Sequence, residues 1–117
     1  MRRKPDPVDF LPLTPAIAHI LLALADQDRH GYAIMQEVER MTGGSVRMGP
    51  GTLYGTIKRM IASGLLEEAE ERPDPEMDDE RRRYYRATPL GRDVLAAETT
   101  RMSALVSAAR AKRVRAR

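Results

Sequence analysis

The chain has 117 residues, 42% of them apolar and 32% charged, with a formal net charge of +3 and no cysteine. That length suits one small domain, and its core must be aliphatic and methionine-rich, because tryptophan is absent and phenylalanine occurs once. Without cysteine there are no disulfides or thiolate metal sites, which fits the cytoplasm, and two histidines are too few for a histidine metal site without carboxylate help; no metal and no cofactor is expected.

Residues 1–13 are proline-rich and read as extended, with Phe10, Leu11 and Leu13 available to dock. A basic start precedes an apolar run at 16–25, but Asp6, Asp9, the intervening prolines and His19 argue against a signal peptide. The run is also too short to span a membrane. Thr14 and Pro15 form a cap-plus-proline start, and Ile17, Ile20, Leu21 and Leu24 continue it as a helix over 15–25. Residues 26–29 read as a turn. His30-Gly31-Tyr32 opens a second helix over 31–42, with Tyr32, Met35, Val38 and Met41 as its inner face and Gly43 at its end.

Pro50 starts a third helix over 50–63, and Gly64 caps it. The stretches 65–70 and 83–87 are strand-like, joined by a hairpin loop over 72–79. Thr88-Pro89 repeats the cap and starts a last helix that runs to about Ala109, striped by Leu90, Val94, Leu95, Met102, Leu105, Val106 and Ala109. A helix of some 20 residues is ~30 Å long. This core cannot cover it, so its outer half calls for a partner, most simply a second copy. The order predicts a mainly α fold with a small β-hairpin: an extended segment 1–13, a winged helix-turn-helix over 14–88, a dimerisation helix over 89–110 and a basic tail over 111–117.

Charge is segregated along the chain. Residues 44–66 carry Arg47, Lys58 and Arg59 and no acid, 67–80 carry nine acids and Arg72, 81–92 carry five arginines, and 101–117 carry six bases and no acid. Such patterning suits a polyanion partner, or else a set of solvated faces. At 100° per residue, Leu53, Ile57, Met60 and Ile61 share one sector of the third helix. The opposite sector holds Gly51, Thr52, Gly55, Lys58, Arg59 and Ala62, a slim acid-free face suited to the major groove of DNA. The glycines of Gly49-x-Gly51-x-x-x-Gly55 are not a nucleotide loop, because no strand precedes them and no Gly-Lys-Ser/Thr follows.

The segments LLALADQDRHGYAIMQEVERMTGG, GPGTLYGTIKRMIASGLLE and RRRYYRATPLGRDVL together resemble the PadR-like transcriptional regulators over roughly residues 13–96. The resemblance implies a homodimeric DNA-binding regulator, usually a repressor of an inverted-repeat operator. The third helix would read the major groove and the wing would follow the backbone. A small-molecule effector often releases such regulators; aromatic residues are scarce outside the DNA-binding half, so any such pocket is expected to be aliphatic. On the matching positions, Thr52, Tyr54, Lys58 and Arg59 are expected to contact groove and phosphate. Tyr32 is a phosphate contact or a core tyrosine. The single last helix implies a dimer interface including Phe10, Leu11, Val94, Leu95, Met102, Leu105, Val106 and Ala109. Two features depart from the family pattern. Gly49 stands where serine is common, and acids crowd the hairpin loop, so Arg81, Arg82 and Arg83 are expected to carry the wing's phosphate contacts. The alternative function is a winged-helix protein–protein module using the acidic loop and basic tail. Enzymatic activity is not expected, since no nucleophile–base–acid set is present.

Overall fold

Three helices begin at a proline in their first turn, where the missing N–H goes unneeded. They are α1 (Pro15–Ala23), α3 (Pro50–Ala62) and α4 (Pro89–Ala111), while α2 spans Gly31–Thr42. The computed structural model describes residues 5–70 and 83–115; the hairpin loop over 72–79 and Arg81 and Arg82 lie outside the described residues. The Thr14 hydroxyl caps α1 by accepting from the Ile17 amide at 3.2 Å, and the Thr88 hydroxyl caps α4 by accepting from Gly91 at 3.0 Å. His30 Nδ1 caps α2, accepting from the Ala33 amide at 3.0 Å, a role not read from the sequence. Gly43 (φ 59°) ends α2 in the left-handed region that glycine adopts without strain.

The sheet has three antiparallel strands among the described residues, in the order β1-β3-β2: β1 (Arg29–His30), β2 (Leu66–Ala69) and β3 (Tyr84–Ala87). Leu66 faces Ala87 across β2 and β3, and Arg29 faces Tyr85 across β1 and β3. The expected hairpin is present, but Arg29 belongs to a strand rather than to the expected turn. Its side chain explains the placement. Nε donates to the carbonyl of Ala23 at the end of α1 (2.8 Å), and Nη2 pairs with Asp26 and Glu37, each at 3.3 Å. Arg29 thus fastens α1, β1 and α2 together.

Fully buried Ile20, Leu21, Leu24, Ile34, Leu53, Met60, Leu66 and Val94 make an aliphatic core that draws on every helix. Tyr85 points into it, while Tyr84, one residue earlier, faces outward edge-on to His30 with ring centroids 5.5 Å apart. Two helical faces differ from expectation. In α2 the inner positions are Ile34 and Val38, and Tyr32 is 41% exposed. Steps of three residues drift by about 60° each, so Tyr32 to Met41 wrap around the helix, whereas an i, i+4 pair stays aligned. In α3 Thr56 is buried and Ile61 is 36% exposed. The Thr56 hydroxyl donates to the Thr52 carbonyl at 2.7 Å, so its burial strands no polar atom.

The segment expected to be extended forms one turn of 3-10 helix at Pro7–Phe10, capped by the Asp6 carboxylate accepting from Val8 (3.0 Å). Phe10, Leu11 and Leu13 pack half-buried against the chain's own core. Glu98, 1% exposed, accepts from the Leu13 amide at 2.7 Å and from Arg101 Nε, so a buried carboxylate ties this segment to α4. Among the described residues no helix is long and apolar enough to cross a membrane.

Candidate nucleic-acid interface

α3 is amphipathic, and packing of Leu53, Ile57 and Met60 into the core turns its opposite side to solvent. Gly51, Thr52, Lys58 and Arg59 are exposed there, and Gly55 is half-exposed between them. A Cβ at Gly51 would meet nothing within 4 Å, and one at Gly55 only Arg59 Nη1, at 3.6 Å. The Arg59 guanidinium therefore lies back along the helix over Gly55, with Nη2 donating to the Thr56 hydroxyl at 3.2 Å. The result is a thin helical edge with a hydroxyl near its start and two cations further along. Gly49 caps the helix without a side-chain hydrogen bond.

Tyr54 sits half-buried on the flank of α3. Its ring lies where a Cβ on Gly31 would have to go, so the start of α2 must be glycine for Tyr54 to dock. The sequence marked Gly31 only as part of a helix start; its spatial partner lies 23 residues on and carries no local signal. Tyr32 is on the surface, which removes its core reading, and it shares a groove with Glu39, Arg47 and Gly49 at the leading end of α3. Arg83 is exposed just before β3. Arg86 on β3 turns back to the domain, its Nη2 3.5 Å from Asp28.

The expected dimer residues divide into three groups. Val94 is fully buried in the chain's own core and offers no surface to a partner, which corrects that assignment. Phe10, Leu11 and Leu95 are half-buried against the same core. Met102, Leu105 and Val106 are exposed, with Ala109 half-exposed beside them, along the outer half of α4. The sequence offered one missed clue. Glu98 interrupts the apolar stripe between Leu95 and Met102, and a carboxylate in such a place must find partners. It does: the Arg101 hydrogen bond, then the Leu13 amide, hold its pKa below the ordinary glutamate value. Glu37 is likewise lowered, first by its hydrogen bond from Arg40.

Residues 20–97 match the family model described as the transcriptional regulator PadR-like family. The chain is 46% identical over 77 residues to the transcriptional regulator Rv3488 of Mycobacterium tuberculosis, an overlap covering 66% of this chain and 65% of that protein. It is 40% identical over 86 residues to an uncharacterized 37.1 kDa protein in transposon TN4556 of Streptomyces fradiae, covering 74% of this chain and 22% of that one. The chain thus spans about a fifth of the Streptomyces relative and just under two thirds of the mycobacterial one. In fold it is similar to the crystal structure of a PadR family transcription regulator from Clostridium difficile R20291, with TM-score 0.68 and 24% identity, over 83% of this chain and 96% of that one.

Proposed function

The chain belongs to the PadR-like family of transcriptional regulators, and on that premise we propose that it acts in the cytoplasm as a homodimeric repressor of an inverted-repeat operator. The outer face of α3 enters the major groove, and Arg83 with its two preceding arginines contacts the backbone beside it. The observation that carries this reading is the acid-free edge of α3: Gly51 and Gly55 leave open space on a helix whose exposed polar residues are Thr52, Lys58 and Arg59. Among the described residues nothing needs those two positions to be glycine, whereas a helix lying in a groove does need a thin leading face.

The dimer reading is supported by Met102, Leu105 and Val106, an apolar stripe on a helix that outruns its own core. A cleft of about 220 Å³ lies between α1, β3 and α4, lined by Leu21, Ala87, Arg92 and Leu95 among others. Ordinary ligand sites occupy ~300–1,000 Å³, so this cleft alone is small for an effector, and a second copy packed on α4 would extend it.

A salt-titrated gel shift with random and promoter duplexes tests the reading. The logarithm of the affinity is expected to fall linearly with the logarithm of salt concentration, with a sequence preference surviving at high salt. A chain that binds no duplex at low salt is instead a winged-helix protein–protein module.

A further inference from the structure

Arg47 lies outside every helix and strand, in the link between α2 and α3, yet its side chain is placed. Nη2 is 3.6 Å from the Glu39 carboxylate on α2, and a Cβ added at Gly44 would stand 3.3 Å from the same atom. The guanidinium is thus folded over the end of α2. Both partners are solvated, with side chains 73% exposed for Arg47 and 55% for Glu39. An exposed pair at this spacing is weakly held and easily exchanged. Arg47 and Glu39 line the same groove as Tyr32 and Gly49, beside the first turn of α3.

Gly49, the cap of α3, brings no side chain to this end of the helix. The stretch 44–66 contains no acid, so the carboxylate facing Arg47 reaches it from another element. We propose that Arg47 is a DNA-phosphate clamp at the leading end of α3, and that Glu39 holds it in the DNA-free chain as a stand-in for the phosphate. A guanidinium takes a phosphate through the same two-pronged geometry it offers a carboxylate. Because the resting pair is already solvated, giving it up costs little. The inference rests on the DNA-binding reading and adds to it one contact and one competitor.

The test is titration of the full chain against a labelled random-sequence duplex across a range of salt. Arg47→Ala is expected to reduce the salt slope by about 0.9 per chain, about 1.8 for a dimer with both chains on the duplex, which makes the affinity lost between about 50 and 200 mM salt roughly 12-fold smaller. Arg47→Lys is expected to keep the slope. Glu39→Gln is expected to tighten low-salt binding in the native background and, in the Arg47→Ala background, to give no more than the gain of Asp93→Asn. Asp93→Asn, at an exposed acid on α4, reports the effect of charge alone. Both Arg47 and Glu39 are exposed, so thermal melts of the variants are expected to match the native chain. A full slope in Arg47→Ala, or an equal gain from Glu39→Gln in both backgrounds, overturns the clamp and leaves the DNA-binding reading standing. A native chain that binds no duplex overturns both.

Discussion

Gly55 sits in the middle of α3, where glycine costs roughly 0.5–1 kcal/mol relative to alanine. A Cβ there would make one ordinary contact, with Arg59 Nη1 at 3.6 Å. Gly55→Ala is therefore expected to raise stability by about 0.5–1 kcal/mol in thermal or urea melts while weakening duplex binding in a gel shift. Undiminished binding would show that the thin face serves no groove. Single side chains also depend most on packing that local spacing does not encode. Tyr32 and Ile34 are two apart on one helix, and only the packing of α2 against the rest of the core decided which of them is inside. Tyr54 owes its position to Gly31, a contact between helices that no spacing rule could have suggested.

At the level of elements, the helices were legible because their ends are local chemistry. Thr14, Thr88, Gly43 and the prolines at the first turns act within four residues of themselves. Strand β1 was not legible. Two polar residues become a strand only because β3 offers an edge and Arg29 finds acceptors on α1 and α2. The N-terminal segment at Leu13 and α4 are likewise joined by a long-range feature, the buried Glu98. Its pKa is lowered by Arg101 and the Leu13 amide, so its ionised form is favoured in the folded chain. Its stabilisation is present above the unfolded glutamate pKa and is lost as pH falls through the lower folded value. Acid melts followed by circular dichroism are expected to show the native chain losing stability below about pH 4.5. Glu98→Gln, which cannot ionise, is expected to be less stable at neutral pH and to show a shallower acid decline. Glu37, lowered by Arg40 and Arg29, contributes to the same decline in both chains.

The whole molecule is flat and extended, 55 × 45 × 23 Å, with a radius of gyration of 15.9 Å. A compact 100-residue domain has about 13 Å. The 23 residues of α4 span ~34 Å at 1.5 Å per residue, and its outer half carries Met102, Leu105 and Val106 into solvent. If a second copy covers that stripe, Leu105→Glu places a charge in the seam without touching the chain's own core, since Leu105 is 65% exposed. The variant is expected to keep its circular dichroism spectrum, to run as a monomer in light scattering, and to lose operator affinity by more than tenfold as the two half-sites uncouple. A Leu105→Glu chain that stays dimeric would place the interface elsewhere.

By itself the sequence determined the order and ends of the helices, the hairpin strands and the acid-free edge of α3. Each depends on residues within a turn or two of one another, where capping, periodicity and charge act directly. The tertiary structure decided what depends on distant partners. It turned Tyr32 outward, took Val94 away from any interface, recruited Arg29 into a strand and set Glu98 against Leu13. It also set Arg47 against Glu39 at the head of α3. Those outcomes follow from which faces pack together and which polar atoms must be satisfied once they do, and neither is encoded in local spacing.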